Sequence, residues 1–496
     1  MALFKKIQID QLKHQANEFF SRAIDQHITL AVTGLSRSGK TAFITSLVNQ
    51  LINEGNGTRL SFFDPVHQGR FIAAKRIPQK NFHVPRFDYD SAMLALTQDI
   101  AQWPEPTHGI SELRLAIRYQ PSSLLKYTTD TATLTIDITD YPGEWLLDLP
   151  MLKQSYKDWS AQTHALLSSA PRKEYSQVFL AKLNNIDPFS PVSEEILAEL
   201  AQEYTELLHL FRHQLGLSII QPGRFILPGE LAGAPILEFF PLPHLTEIAD
   251  TDYQNAGDDS FIGMLHSRYK QYKEQVVGKF YREHFIRFDR QIVLADCLTA
   301  LNKGKESFAD LEKAINMILE NYHYGKSGMF SRLFAPKIDK LLFAATKADH
   351  VTPEQHAPLV SLVNELIYKS HHQLKYEAVE LKTLAIASVK VTQAGKISHQ
   401  GQQIPVIQGQ RIVATEPKNS PAVEDVVQGN TSAGSAEKVT VFPGDVPETL
   451  PNEEYWQKSA FNFINFSPPN TLTKHQSLPH IRLDQVLQFL LADKML

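Results

Sequence analysis

The chain has 496 residues, 43% of them hydrophobic and 21% charged, with a net charge of −5 and a single cysteine, Cys297. This length and ordinary globular mix predict about two to four domains, or one domain with a large insertion, and the charge gives no sign of a nucleic-acid surface. One cysteine excludes an intramolecular disulfide framework and favours the cytoplasm; no window approaches the ~20 apolar residues that cross a bilayer, so any membrane contact is expected to be peripheral.

The first predicted elements surround a glycine-rich loop. Residues 1–27 predict an amphipathic helix, and the apolar run from Ile28 to Val32 predicts a buried strand. Residues 34–41 then read Gly-Leu-Ser-Arg-Ser-Gly-Lys-Thr, the pattern G-x-x-x-x-G-K-[ST], and apolar residues recur at helical spacing from Phe43 to Ile52. A strand, this loop and a helix, in that order, predict a phosphate-binding loop.

This loop predicts how a nucleoside triphosphate is held. A glycine nest and helix amides bind anions. Lys40 is expected to act on the β- and γ-phosphates as a catalytic cation, and the Thr41 hydroxyl is expected to bind Mg²⁺. The alternative is a glycine-rich turn without a ligand. The residues expected to bind the nucleotide here are Gly34, Ser36, Arg37, Ser38, Gly39, Lys40, Thr41 and Ala42.

The stretch from Phe62 to Pro106 predicts an irregular, solvated loop. Basic residues are interleaved there with aromatic ones, so RNA or a membrane surface is the less favoured alternative. Behind it, Leu113 to Tyr119 alternates apolar and polar residues, and Leu134 to Ile138 predicts a buried strand. A turn-like segment joins these two strands, so an antiparallel pair is expected.

Asp140-x-x-Gly143 follows the second of these strands. Asp140 is expected to hold Mg²⁺ through water, and the Gly143 amide is expected to sense the γ-phosphate. Thr107, in the Pro-rich loop before the first strand, is the residue chosen for a catalytic second hydroxyl on Mg²⁺, and Ser111 is the alternative closer to that strand. Taken alone, the motif also fits an ordinary turn, because Asp and Gly are common turn residues.

The remainder of the chain predicts a helical insertion and the second half of a parallel sheet. Residues 147–283 are mainly helical in pattern, and strands then alternate with helices, which predicts parallel strands covered by helices. Predicted strands lie at Gln291–Ala295, Lys340–Ala345 and Leu384–Ala387, and predicted helices at residues 310–321 and 354–373. Residues 395–413 predict a hairpin, 416–438 a mobile segment and 481–491 an amphipathic helix.

Thr346-Lys347-Ala348-Asp349 directly follows one of these strands and matches [NT]-K-x-D, a guanine-recognition motif. Asp349 is expected to accept two hydrogen bonds from guanine, whereas adenine would leave it facing an unpaired polar edge, so the motif favours GTP over ATP. Ser388 and Val389, behind the next strand, are expected to contact the guanine carbonyl through the backbone. The alternative is that Lys347 and Asp349 are ordinary turn residues.

The order and spacing of these motifs resemble the Ras-like class of GTPases, and the whole chain resembles the YcjX family of bacterial P-loop GTPases. Besides the phosphate loop, Gly-Ile-Ser-Glu-Leu-Arg-Leu at residues 109–115 and Pro-His-Ile-Arg-Leu-Asp at 479–484 carry this resemblance. It implies an α/β fold: a Ras-like P-loop core with a mainly parallel sheet, a large helical insertion and a C-terminal extension. It also implies a GTPase linked to envelope stress, with a membrane-protein partner and a location in the cytoplasm or peripheral to the inner membrane.

The predicted domain division follows these elements. The insertion leaves the core beside Gly143, so ordering of that glycine on the γ-phosphate is expected to bias the first inserted helix. The predicted parts are residues 1–146, the first part of the GTPase core; 147–283, the inserted helical domain; 284–394, the second part of the core; and 395–496, a hairpin, linker and terminal helix.

Two residues bear on hydrolysis. Glu144 stands where many Ras-like relatives have a glutamine that orients the attacking water, but a carboxylate is repelled by the γ-phosphate. Glu144 is therefore either a weak catalytic residue or a helix-start residue. The phosphate loop is also similar to that of guanylate-binding proteins and atlastins, which implies that Arg37 acts as an arginine finger in cis; a solvent-facing arginine is the alternative.

Other chemistry has little support in the sequence. His371 and His372 have no partners at metal-ligand spacing, and Cys297 is expected to be an inert buried thiol. Two other functions stay open: an ATP-dependent P-loop enzyme, and a scaffold that binds nucleotide for stability and turns over negligibly. Nucleotide-dependent self-association is a further alternative, and no nucleic-acid partner is expected.

Overall fold

The computed structural model describes residues 26–35, 38–54, 59–107, 109–122, 130–323, 338–376, 379–399, 401–411, 437–458 and 461–496. Several expectations lie outside these residues or their described side chains. They are residues 1–25 of the helix predicted over residues 1–27, the loop residues Ser36 and Arg37, the side chains of His371 and His372, and nearly all of the segment 416–438 predicted to be mobile. The last two residues of that predicted helix, Gln26 and His27, belong to the first strand instead.

Within the described residues, seven strands form one sheet in the order β2-β3-β4-β1-β5-β6-β7. Strand β1 pairs in parallel with β4 and β5, and β6 and β7 continue the parallel part. Strand β3 is antiparallel to β4, as predicted, and β2 is antiparallel to β3. The strands are β1 Gln26–Gly34, β2 Phe71–Ile77, β3 Ser111–Tyr119, β4 Ala132–Asp140, β5 Arg290–Ala295, β6 Lys340–Ala345 and β7 Glu380–Ala385.

Helices cover this sheet, and a smaller antiparallel sheet of β8 Gln393–His399, β9 Gln402–Arg411 and β10 Glu437–Val441 lies in the C-terminal part. The predicted hairpin is therefore confirmed. The helices are α1 Lys40–Ile52, α2 Asp64–His67, α3 Tyr89–Thr97, α4 Glu144–Leu147, α5 Tyr156–Leu167, α6 Lys173–Asn184, α7 Glu194–His213, α8 Gly223–Ile226, α9 Asp250–Gln254, α10 Phe261–Gln271, α11 Gly278–Glu283, α12 Cys297–Lys303, α13 Lys305–Glu320, α14 His356–Tyr376, α15 Glu453–Lys458 and α16 Leu483–Leu491.

Two hydrophobic cores lie on opposite faces of the large sheet. Along β1, Ile28, Leu30 and Val32 contribute to one core and Ala31 contributes to the other, because successive side chains of a strand point to opposite faces. One core includes residues of α1, α3 and α16, and the other includes residues of α13, α14 and segment 147–283. Helices on both faces of a mainly parallel sheet confirm the predicted α/β, Ras-like P-loop architecture.

Segment 147–283 shares one continuous core with the sheet. Its buried aromatic residues Trp159, Tyr204 and Phe239 belong to the same cluster as Val293 of β5. The segment is mainly helical, as expected, and its helix α8 contacts both α7 and α4, the short helix that follows β4. A change at that strand end therefore has a direct packing route into the segment.

The prediction of an irregular loop from Phe62 to Pro106 is wrong. Strand β2 lies in this stretch as an additional edge strand, and α3 follows it. The residues of β2 are mostly exposed and show no clean alternation of burial, so the pattern typical of a half-buried strand is missing. Pairing with β3 fixes the strand.

The C-terminal residues complete one face of the core. Helix α16 buries Leu483, Val486, Leu487 and Leu490. The fully buried Arg290 of β5 pairs with Asp493 beyond that helix, with 2.5 Å between Nη2 and Oδ2. Among the described helices, none combines the length and apolar content that crossing a bilayer requires.

Candidate functional site

The candidate phosphate loop joins β1 to α1 at the carboxyl edge of the parallel strands. Gly39 caps α1 with a φ of 79°, in the left-handed region, and its carbonyl accepts the Phe43 amide at 2.9 Å. Lys40, Thr41 and the buried Ala42 form the first turn of the helix. The Ser38 amide donates to Leu35 O at 3.1 Å, which closes the part of the loop that the structure describes.

The turn after β4 lies directly against this loop. A Cβ atom placed on Gly143 would be 2.6 Å from Gly34 O and 3.0 Å from Leu35 N, so backbone meets backbone there. Strands β1 and β4 are parallel neighbours, with Val32 opposite Asp140. This pairing brings the predicted residues Gly34, Asp140 and Gly143 to one edge of the sheet.

Three oxygen-bearing side chains converge beside the loop. Thr41 Oγ1 lies 3.4 Å from Thr107 Oγ1, which comes from the segment before β3. Asp140 is 1% exposed, and neither of its carboxylate oxygens has a hydrogen-bond partner among the described residues. Burial raises the pKa of the Asp140 carboxyl, and the positive charge of the Lys40 ammonium opposes that rise.

These oxygens fit a magnesium ion. A buried carboxylate without hydrogen bonds is costly unless a cation or donor compensates its charge. Mg²⁺ prefers oxygen ligands, and it is commonly held by one or two protein groups together with substrate phosphates. The residues Thr41, Thr107 and Asp140 supply such groups at the mouth of the loop.

Glu144, the residue after Gly143, begins helix α4 and is 1% exposed. Its carboxylate forms an ion pair with Arg212 of α7, with 3.0 Å between Oε1 and Nη2. No sequence pattern predicts that Arg212 contacts Glu144, because the two residues belong to elements that are far apart in the chain. The pair links the candidate site to segment 147–283.

The predicted guanine-recognition motif follows β6 at the same sheet edge. The Thr346 amide donates to Ala295 O at 3.0 Å, and Lys347 adopts a left-handed φ of 61°. Its ammonium group lies 2.6 Å from Asp296 Oδ2 and 3.3 Å from Thr299 Oγ1. Asp296, which also caps α12, was missed by the sequence reasoning; its position directly after β5 is the signal that could have found it.

Asp349 is held in place by the loop after β7. Its Oδ2 accepts the Val391 amide at 2.7 Å, and its backbone carbonyl accepts the Thr392 hydroxyl. The side chain is almost fully buried, and burial raises the pKa of this carboxyl to about 6. Val391 and Thr392 lie just past the predicted residues Ser388 and Val389, so the predicted loop is near Asp349 but a later part of it makes the contact.

The C-terminal tail fixes this same loop. Ala387 and Ile481 exchange backbone hydrogen bonds of 2.9 and 3.2 Å, and the Lys390 amide donates to Pro479 O at 2.6 Å. Ser388 is half-buried and Val389 buried within the loop. The predicted strand Leu384–Ala387 begins earlier, at Glu380, and ends at Ala385. Ile386 still donates its amide to Ala345 O at 2.8 Å, and Ala387 then pairs with Ile481 of the tail.

The structure therefore brings the phosphate-loop, Asp140-x-x-Gly143 and [NT]-K-x-D motifs to one edge of the sheet. In contrast, Cys297 is fully buried at the start of α12, and burial raises the pKa of its thiol to about 12, as expected for an inert residue. The predicted positions Ser36 and Arg37 lie outside the described residues.

Comparisons with known proteins agree with this architecture. The model of the YcjX-like family, DUF463, matches residues 28–495. The chain is 45% identical over 486 residues to the Ras-like GTPase YcjX of Escherichia coli strain K12, covering 98% of this chain and 99% of that protein. It is 41% identical over 504 residues to the Ras-like GTPase YcjX of Shewanella oneidensis, covering 99% of each chain. Matches of this length and identity establish that the chain belongs to the YcjX-like family, DUF463.

Proposed function

We propose that this chain is a GTPase: it binds GTP together with Mg²⁺, hydrolyses the γ-phosphate and changes the conformation of its switch segments. The observation that carries the proposal is the convergence of Thr41, Thr107 and the unpartnered, buried Asp140 beside the phosphate loop. The names of the two relatives, both Ras-like GTPases, support it.

In this proposal the phosphate loop binds the triphosphate through its amides, with Gly34, Ser36, Ser38, Gly39 and Ala42 supplying backbone contacts. Lys40 neutralises the β- and γ-phosphates, because backbone amides carry no full charge. Thr41 and Thr107 bind Mg²⁺ through their hydroxyls, and Asp140 binds it through water. The ion, when bound, supplies positive charge that stabilises the charge developing on the phosphates.

Guanine selectivity is assigned to Thr346, Lys347 and Asp349, with Ser388 and Val389 contributing backbone contacts. Asp349 accepts hydrogen bonds from the guanine edge, and Lys347, fixed by Asp296, lies beside the base. The ion pair of Lys347 and Asp296 restrains the lysine before nucleotide binds, so less conformational entropy is lost on binding.

Arg37 is proposed as an arginine finger in cis, and Gly143 as the amide that senses the γ-phosphate. A guanidinium in the phosphate loop is able to stabilise charge on the γ-phosphate in the transition state. Replacing Arg37 with alanine is expected to slow hydrolysis by about 1000-fold, which is the lower end of the range for arginine fingers. GTP affinity should change much less, and an unchanged rate would exclude the finger.

Segment 147–283 is proposed to receive the conformational change. Three contacts support this route: Gly143 lies against Gly34 of the phosphate loop, Gly223 of α8 lies against Glu144 of α4, and Arg212 of α7 pairs with Glu144. The chain is accordingly divided into two core parts, residues 1–146 and 284–394, the inserted segment 147–283 between them and a C-terminal part, residues 395–496. Equal protease sensitivity of the segment with GDP and with a non-hydrolysable GTP analogue would count against it.

The experiment that tests the function is single-turnover hydrolysis by the purified chain with GTP and with ATP in Mg²⁺ buffer. We expect turnover of GTP and little of ATP. Equal turnover of the two nucleotides would favour an ATP-dependent enzyme instead. Tight GTP binding without turnover would favour a nucleotide-stabilised scaffold.

The family resemblance extends the proposal to a switch that acts in envelope stress through a membrane-protein partner. Its test is co-sedimentation of the chain with inner-membrane vesicles in the presence of GDP or a GTP analogue. Recovery in the pellet that depends on the GTP analogue would support a peripheral, nucleotide-controlled association. Equal recovery in both states would contradict it.

A further inference from the structure

Arg212 reaches the candidate hydrolytic site from segment 147–283. It lies in the last turn of α7, and its guanidinium forms the ion pair with Glu144 directly after Asp140-x-x-Gly143. The side chains are 14% and 2% exposed, respectively. Water therefore screens this pair poorly, and its electrostatic interaction is stronger than that of a surface pair.

The position of Glu144 makes this contact relevant to hydrolysis. Gly143, its neighbour, lies against the backbone of Gly34 and Leu35 in the phosphate loop. On its other side, Gly223 of α8 packs against the Glu144 carbonyl, where an added Cβ would be 2.5 Å from the oxygen. Glu144 is thus fixed between the phosphate loop and the helical segment.

An isolated carboxylate in this place would be repelled by the γ-phosphate, which is negatively charged. The Arg212 guanidinium carries the opposite charge and cancels that of Glu144 at 3.0 Å. Glu144 Oε2 is buried and has no hydrogen-bond partner among the described residues. No described protein donor therefore competes with a water molecule for that oxygen.

We propose that Arg212 is a positioning residue for hydrolysis: it holds and neutralises Glu144 so that the carboxylate of Glu144 orients the attacking water. This inference rests on the proposed GTPase function. The water oxygen bonds to the γ-phosphorus, the bond from that phosphorus to the β,γ-bridging oxygen breaks, and GDP leaves. The protons of the water pass to the phosphate product and solvent, so Glu144 accepts a hydrogen bond and undergoes no net protonation.

The test compares Arg212→Ala, Arg212→Lys, Glu144→Gln and the double variant Glu144→Gln/Arg212→Ala in single-turnover GTP hydrolysis. Arg212→Ala is expected to slow hydrolysis by about 10- to 100-fold because the catalytic carboxylate is misplaced, with GTP affinity within about twofold of the native chain. Arg212→Lys should retain part of the rate, since lysine keeps the charge but loses the planar fork.

Removing Arg212 from a chain that already carries Glu144→Gln distinguishes an effect of Arg212 through Glu144 from a direct effect of Arg212 on the phosphate. A neutral amide at position 144 needs no counter-charge, so Glu144→Gln and Glu144→Gln/Arg212→Ala should hydrolyse GTP at rates within about threefold of each other. Neither of these two variants contains the Glu144 carboxylate, so neither leaves that carboxylate buried without its counter-charge, and the comparison stays possible if Arg212→Ala fails to fold. An equal loss in both backgrounds would overturn the positioning role.

Arg268→Ala is the matched control, because Arg268 has a similarly buried side chain, 10% exposed, and pairs with Glu238 and Glu194 inside segment 147–283. It should hydrolyse GTP at the native rate. A native rate for Arg212→Ala, or an increased one, would overturn the inference while leaving the proposed function intact. A native chain that binds GTP without turnover would overturn the proposed function itself, and the positioning role with it.

Discussion

Thr41 Oγ1 and Thr107 Oγ1 lie 3.4 Å apart, although 66 positions separate the two residues in the chain. Thr41 belongs to the first turn of the phosphate-loop helix, and Thr107 to the segment before β3. A cation bound to one hydroxyl is therefore within reach of the other. The distance joins the candidate phosphate loop to the segment in which the sequence offered two residues, Thr107 and Ser111, for the second hydroxyl on Mg²⁺.

Replacing Thr107 with alanine is expected to slow single-turnover GTP hydrolysis by about 100-fold, because the segment would lose the proposed contact of its hydroxyl with Mg²⁺. Affinity for GDP should stay within about twofold of the native chain, since GDP has no γ-phosphate to order the segment. Thr107→Ser, which keeps the hydroxyl, should retain most of the rate.

Ser111→Ala is the control for Thr107. Ser111 is 5% exposed at the start of β3, opposite Asp140, and its hydroxyl has no hydrogen-bond partner among the described residues. We expect its loss to leave hydrolysis close to native. A large loss with Ser111→Ala and none with Thr107→Ala would reverse the assignment.

Asp349→Asn is expected to weaken GTP binding by about 100-fold, because in the proposed function the carboxylate accepts charge-assisted hydrogen bonds from guanine that a neutral amide cannot reproduce. Binding of ATP, which makes no such contacts, should not change. Competition titrations with a fluorescent guanine nucleotide measure both affinities. Unchanged selectivity would mean that Asp349 only holds the loop through Val391.

The same residue predicts how guanine-nucleotide affinity depends on pH. Burial raises the pKa of the Asp349 carboxyl to about 6. Its neighbours include the charged Lys390 and the titratable His350. Below that pH the carboxyl is protonated and accepts poorly, so GTP affinity should fall as pH drops through about 6 and level off above about 7. The decrease should be absent in Asp349→Asn, whereas a decrease of equal size there would assign it to another group.

The strands that position the site could be predicted because their patterns are local. The apolar runs ending at Val32, Ile138 and Ala345 identify buried strands, and the motifs that follow them share one edge because the strands are parallel. Strand β2 could not be recognised this way, since its exposed residues carry no alternation. This strand forms by pairing with β3, and no local sequence pattern indicates that pairing.

The partners of the site residues were harder to predict than the residues themselves. Asp296, which holds Lys347, follows β5 directly and could have been proposed by the same strand-end argument. Arg212 and the tail around Ile481 reach the site only through tertiary packing. No local pattern distinguishes Arg212 from an ordinary surface arginine in the last turn of an amphipathic helix.

The carboxyl of Asp148 predicts a pH dependence of stability. Asp148 is 2% exposed and accepts hydrogen bonds from the Gly223 amide and the Tyr272 hydroxyl, yet burial raises its pKa from 3.8 to about 7. The folded chain therefore binds this proton more tightly than the unfolded chain. The contribution to stability is highest at low pH and declines as pH rises from about 4 to about 7.

For Asp148 alone, linkage gives a loss of about 2 kcal/mol between about pH 5.5 and 7.5. Asp148→Asn removes the titrating group and should lose less stability over the same interval. Urea denaturation of the nucleotide-free proteins at the two pH values measures the difference. Parallel pH profiles for the native chain and the variant would show that Asp148 is charged in both states.

Gly223→Ala tests the contact between segment 147–283 and α4. The new Cβ would lie 2.5 Å from Glu144 O and 2.7 Å from Glu144 C, both backbone atoms that cannot rotate away. Either α4 or α8 must shift, so we expect a loss of about 2 kcal/mol in stability and slower GTP hydrolysis with nucleotide binding retained. Gly395→Ala is the control, because its Cβ would meet only Val406 Cγ2 at 3.9 Å. A Gly223→Ala chain with native stability and native turnover would show that α4 is independent of segment 147–283. That result would contradict a coupling route through this contact.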